Sequence, residues 1–99
     1  MSSDAVICGY ARSAFTPAKK GDLAKVRPDD LAAGVVNGLI KKYKINVDDV
    51  EDLILGCAFP EAEQGMNLAR NVVFLSDLPK SVGGVTVNRF CASSMQAIH

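Results

Sequence analysis

The chain has 99 residues, 48% of them hydrophobic, and eleven basic side chains balance eleven acidic ones. This length suits one small domain or one piece of a larger one, and the apolar share is enough for a core, which excludes a disordered chain. Zero net charge argues against nucleic acid as a bulk electrostatic partner, and no apolar run is long enough to span a bilayer.

The N-terminus, Met1-Ser2-Ser3-Asp4, has no basic stretch followed by an apolar one, so it does not read as a secretory signal. Ala5 to Tyr10 (AVICGY) is a short apolar run of the kind a buried strand shows. Ala11 to Arg27, with Pro17, Gly21 and Lys19-Lys20, reads as a surface loop. Pro28 then opens a helix with Asp29-Asp30 in its first turn and Lys41, Lys42 and Lys44 near its end, as the macrodipole favours. Leu31, Val35, Leu39 and Tyr43 recur every four residues, with Val36 and Ile40 widening the stripe into one buried face. Gly34 and Gly38 weaken this helix by roughly 1 kcal/mol each relative to alanine and offer a face on which another backbone can pack closely.

Asn46 can cap a short turn through Val47 to Glu51, and Asp52 to Cys57 (DLILGC) reads as a second buried strand. Phe59 to Gly65 is a loop. Asn67 is placed to cap a second helix with Leu68, Val72 and Leu75 on one face. Val85-Thr86-Val87 is a third, β-branched strand, and a third helix starts at Cys91. The predicted order β-α-β-α-β-α implies an α/β fold with a mostly parallel sheet covered by helices. The last helix meets His99 with its apolar pattern still running and no C-cap glycine, so residues 1–99 read as an N-terminal segment cut within that helix.

Three cysteines form no CxxC pair and are odd in number, which argues against a disulfide framework or a zinc site and for a reducing compartment, most simply the cytoplasm. Cys8 and Cys57 lie within apolar strand runs and read as small buried hydrophobes. Cys91 sits where a strand ends and a helix begins. Free N–H groups and the positive end of a helix dipole there favour thiolate, and Ala92, Ser93 and Ser94 let a substrate carbonyl approach the backbone. Asn88 and Arg89 are placed to orient or polarise a neighbouring group. A structural cysteine remains the competing reading on placement alone. His99, eight residues on, would lie roughly 12 Å along a helix axis, too far to act as the base, which must come from elsewhere. Lys19, Lys20, Lys25 and Arg27 can attract an anionic ligand or form a solvated loop. Asp29-Asp30 and Asp48-Asp49 read as helix-start and surface charges.

Val87-Asn88-Arg89-Phe90-Cys91-Ala92-Ser93-Ser94-Met95-Gln96-Ala97-Ile98 closely resembles the acyl-enzyme signature of the thiolase family. That pattern has an aliphatic residue and Asn before the Cys, then small-Ser-small, then a small-aliphatic pair. Cys8 to Ser13 resembles the family's opening strand, although Ala14-Phe15-Thr16 stands where Pro and then Gly are usual. Leu55-Gly56-Cys57 resembles its second strand, and Gln64 to Asn71 its next loop and helix start. Glu63 to Asn71 and Asn88 to Gln96 look most like degradative 3-ketoacyl-CoA thiolases. Ala92 and Ser94 stand where the biosynthetic type usually has Gly.

The resemblance implies a layered α-β-α fold made of two similar halves, this chain being most of the first half's sheet. It implies Cys91 as the nucleophile that carries an acyl-thioester intermediate, coenzyme A as a substrate, and no bound cofactor or metal. It places the activating histidine, a second catalytic cysteine and the oxyanion-hole groups in later sequence, so that residues 1–99 alone are expected to be inactive. It further implies acyl-CoA substrates, a homodimer or tetramer with Val85 to Asn88 near the subunit contact, and room for a β-oxidation multienzyme partner. The alternatives are a ketoacyl synthase-like condensing enzyme of the same fold and a non-catalytic interaction fragment.

Overall fold

The computed structural model describes residues 3–99. Met1 and Ser2, the start of the stretch read for a secretory signal, lie outside the described residues.

Helix α1 runs Pro28–Tyr43, the span its terminal residues predict. Pro28 takes the first turn, where its missing N–H is no loss, and Asp29 and Asp30 face the positive end of the dipole. The helix ends on Lys44, left-handed at φ 51°, a place glycine usually holds, and the Ile45 N–H closes the cap on the Ile40 carbonyl at 3.0 Å. The face turned to the core differs from the stripe of four-residue steps. Asp29 and Ala33 are buried, and Val36 and Ile40 pack on the core, while Leu31, Val35 and Leu39 are half-buried and Tyr43 is exposed. Gly34 and Gly38 look onto open space, so no backbone crowds that face.

The Asn46 side chain accepts from the Asp48 N–H at 3.2 Å and caps a 3-10 turn, Val47–Asp49. Strand β1, Ile54–Gly56, pairs in parallel with β2, Val85–Val87, in the register Ile54 to Val85, Leu55 to Thr86 and Gly56 to Val87. Parallel neighbours need a crossover, and α2, Leu68–Leu75, supplies it after a 3-10 turn at Ala62–Gln64. A further 3-10 turn, Phe90–Ala92, leads from β2 into α3, Ser93–Ile98. Among the described residues no helix is long and apolar enough to cross a membrane.

Side-chain alternation places Leu53, Leu55 and Cys57 on one side of β1, against Ala33, Leu68 and Val72 of α1 and α2. Val73, Leu78 and Val82 continue this core toward Ile40, Val47 and Val50. Val72, Val73 and Val82 are fully buried, each contributing about 1.5–3 kcal/mol of hydrophobic stabilisation. The other side of β1 meets α3 so closely that a Cβ on Gly56 would lie 2.5 Å from the Ser93 carbonyl carbon and 2.6 Å from the Ser94 Cα. Only glycine allows that approach. Gly84 does the same for α2, where a Cβ would lie 2.7 Å from the Arg70 nitrogen.

The first predicted strand is absent. Residues 5–10 form no regular element and are exposed except for the half-buried Gly9, with Val6 at 75% and Ile7 at 82%, and Cys8 is exposed rather than buried. The cause is the lack of a partner: β1 and β2 pair with each other, and residues 5–10 join no ladder. The segment is tied at one end. The Tyr10 N–H donates to the Tyr43 hydroxyl at 3.2 Å, and Lys42 Nζ donates to the Tyr10 carbonyl at 3.2 Å while lying 4.4 Å from the centre of its ring. The bonding to the Tyr10 backbone, with Lys42 beside it, holds the Tyr43 phenol below its ordinary pKa. Among the described residues the order is therefore α-β-α-β-α, an α/β arrangement on a two-stranded parallel sheet.

Candidate active site

Strand β2 delivers Cys91 to an exposed turn, where its thiol is free. The α-helix starts two residues later than the sequence predicts: Cys91 is the middle residue of the 3-10 turn Phe90–Ala92, and α3 begins at Ser93. Cys57 is buried in the core at 6% exposure, as its apolar run predicts. His99 closes α3 through its own N–H on the Met95 carbonyl at 3.2 Å, at the far end of the helix from Cys91.

Phe90, immediately before the cysteine, has φ 49°. A left-handed conformation costs a non-glycine residue roughly 1–2 kcal/mol, so something must hold it there. Phe90 is 67% exposed, so burial of its side chain is a weak restraint. Side chains of the same loop hold the conformation. The Phe90 N–H donates to Asn88 Oδ1 at 2.8 Å, and the Arg89 N–H donates to Ser93 Oγ at 2.9 Å. The Ser93 hydroxyl in turn donates to the Phe90 carbonyl at 2.6 Å, with Asn88 Oδ1 3.4 Å away. Ser93 is 3% exposed. It rests, with Ser94, on the surface opened by Gly56, so the turn is anchored to β1 as well as to β2.

Chemically the arrangement presents an accessible sulfur on a restrained backbone, followed by the small residues Ala92, Ser93 and Ser94. Asn88, predicted to orient a neighbouring group, orients the Phe90 amide. Small size alone does not signal the structural use of Ser93, whose position two residues after the cysteine lets its side chain reach back to the turn.

Asn67 corrects another expectation. It stands at the start of α2 but is left-handed at φ 55° and makes no side-chain cap. Its amide instead reaches β2, donating to the Gly84 carbonyl at 2.9 Å and accepting from the Thr86 hydroxyl at 2.8 Å. Thr86 Oγ1 also accepts from the Ala69 N–H at 3.0 Å, which ties β2 to α2.

Of the basic loop residues, Lys19, Lys20 and Lys25 are exposed. Arg27 is already paired within the chain, holding Asp29 by two bonds of 3.1 and 3.0 Å and lying 3.5 Å from Glu63. The hydrogen bonds from the Arg27 guanidinium hold the Asp29 carboxyl below its ordinary pKa, and the guanidinium pKa is raised in turn. A cleft of about 490 Å³ opens between α1, β1 and α2, with Gln64 and Ser94 in its lining; Cys91 does not line it.

The family model described as "Thiolase, N-terminal domain" matches residues 5–99. A protein named 3-ketoacyl-CoA thiolase from Acinetobacter baylyi is 52% identical over 96 residues, covering 97% of this chain and 25% of the relative. One of the same name from Bacillus subtilis is 50% identical over 95 residues, covering 96% and 24%. A third, from Acinetobacter baumannii, is 51% identical over 96 residues, covering 97% and 25%. The chain thus spans about a quarter of the length of the curated relatives it matches. With the family model covering almost every residue and half the positions identical to these relatives, the chain belongs to the thiolase family.

Proposed function

We propose that this chain supplies the nucleophile of an acyltransferase that cleaves 3-ketoacyl-CoA with coenzyme A, or runs the reverse condensation. The observation that carries this reading is the exposed Cys91 thiol on a restrained turn between β2 and α3, inside the acyl-enzyme signature. The three relatives described above, each named a 3-ketoacyl-CoA thiolase, support the degradative subclass over a ketoacyl synthase-like enzyme.

In this reading the Cys91 thiolate attacks the 3-keto carbon. The bond between C2 and C3 breaks, and its electron pair leaves on C2 as the enolate of acetyl-CoA, which is then protonated. Cys91 is left as an acyl thioester. The thiolate of free coenzyme A attacks that thioester, and the sulfur of Cys91 departs with its electron pair. This is covalent catalysis in ping-pong order. The proton acceptor, the second catalytic cysteine and the oxyanion-hole groups come from sequence beyond these residues, so the 99-residue chain alone shows no turnover. The same reading carries with it a cytoplasmic homodimer or tetramer and a β-oxidation multienzyme partner.

The test is cysteine replacement in the intact protein. Cys91→Ser abolishes thiolysis of acetoacetyl-CoA, whereas Cys8→Ser and Cys57→Ser keep most of it. Equal losses at all three positions, or retained activity in Cys91→Ser, would sink the assignment.

A further inference from the structure

Every hydrogen bond of the Ser93 side chain goes to the residues just before Cys91. Its oxygen accepts from the Arg89 N–H at 2.9 Å, and its proton goes to the Phe90 carbonyl at 2.6 Å. Asn88 takes the remaining amide, the Phe90 N–H, at 2.8 Å. A buried hydroxyl needs partners in any case, but partners inside the core would satisfy it equally well. These partners instead fix the one left-handed residue of the turn, φ 49° at Phe90, a residue left 67% exposed. Ser93 is itself immobile, 3% exposed and seated where Gly56 lets the α3 backbone touch β1. The restraint therefore runs from a packed strand, through one hydroxyl, to the peptide that precedes the sulfur.

We propose that Ser93 and Asn88 are positioning residues that hold the Phe90 backbone left-handed and so aim the Cys91 sulfur at the incoming acyl group. The proposal rests on Cys91 being the nucleophile of the proposed acyl transfer. If Phe90 relaxed to a negative φ, the chain after it would turn and the sulfur would move off line. A displacement of about 1 Å is enough to cost up to a hundredfold in rate.

The experiment uses the intact protein with acetoacetyl-CoA and coenzyme A as probes. Ser93→Ala lowers kcat by about tenfold or more while the KM for acetoacetyl-CoA stays within about twofold, since binding does not require the sulfur to be aimed. Alkylation of Cys91 by iodoacetamide, which reaches a sulfur from many directions, stays within about threefold. Amide exchange at Arg89 quickens by about tenfold as its acceptor is lost. Should Ser93→Ala fail to fold, the exposed Asn88 decides. Asn88→Ala then shows the same kcat loss, and Asn88→Asp, which keeps an acceptor oxygen, recovers most of it.

A kcat within twofold of wild type in either alanine variant overturns the proposal. So do equal losses in Asn88→Ala and Asn88→Asp. An intact wild-type protein without Cys91-dependent transfer would instead defeat the proposed function. The restraint would then be judged by exchange at Arg89 and Phe90 alone, where unchanged protection in both variants overturns it.

Discussion

Residues 5–10 (AVICGY) and 52–57 (DLILGC) are nearly interchangeable as text. Each is a short apolar run with one glycine and one cysteine, and each is predicted as a buried strand. The second forms β1, paired with β2 on one edge and covered by α1 and α2 on one face and by α3 on the other. The first joins no ladder and lies largely exposed, tied down near Tyr10. The difference lies outside both runs. A strand requires a neighbour's ladder and layers over its faces, and apolar composition only makes such burial favourable once those are present.

Substitutions can push this contrast hard. The largest effect is expected at Gly56. A side chain on Gly56 meets α3 backbone that cannot yield, so Gly56→Val costs about 3 kcal/mol or more in chemical unfolding. A methyl on Gly9 meets the Tyr43 ring at 2.6–2.9 Å, the far end of a side chain that can swing away, so Gly9→Ala stays within about 1 kcal/mol. Similar losses at both would mean that residues 5–10 are as firmly built in as β1.

Thiol reactivity sharpens the comparison next. Cys8 is exposed and Cys57 buried, so iodoacetamide should label Cys57 about a hundredfold more slowly, as followed by peptide mass spectrometry. Equal protection of Cys8 in the intact protein would show that the segment finds a partner there. A cavity comparison follows: Val72→Ala destabilises by about 2 kcal/mol, while Ile7→Ala, at an exposed site, changes stability by under about 0.5 kcal/mol.

The smallest effect is electrostatic. The folded-state pKa of Asp29 is lowered by Arg27, so its stabilisation is present above the ordinary carboxylate pKa and is lost as pH falls through the lowered value. Asp29→Asn should therefore lower the melting temperature by about 2 °C at neutral pH, and that gap should begin to close below about pH 4 and vanish once pH is below the lowered folded-state pKa. A gap that widens in acid would reverse the assignment.

Where chemistry is local, the sequence is readable. Pro28, the Asp29-Asp30 pair and the closing lysines bound α1 because helix ends are set by the groups within one turn of them. Asn46 caps its turn as its type suggests, and the β-branched Val85-Thr86-Val87 forms its strand. The Cys91 turn is legible as a place because the residues around it are small and follow a strand. Its inner construction is not. Nothing about phenylalanine favours φ 49°, and the restraint comes from Ser93, which a composition reading counts only as small. Asparagine commonly caps helices, so its type predicts a cap at Asn67. Its side chain crosses to β2 instead, a choice settled by where Thr86 and Gly84 arrive in space.

That crossing has a consequence for how the strand is indexed. Thr86 carries the one hydroxyl of β2, and both Asn67 and the Ala69 N–H spend a hydrogen bond on it. Sliding β2 by one residue would bring Val85 or Val87 to that spot, turn the hydroxyl to the opposite face and strand two polar groups beside apolar carbon. Thr86 thus works as a detent against slippage. Because Cys91 follows only five residues later, the same detent sets how far along the strand the sulfur emerges.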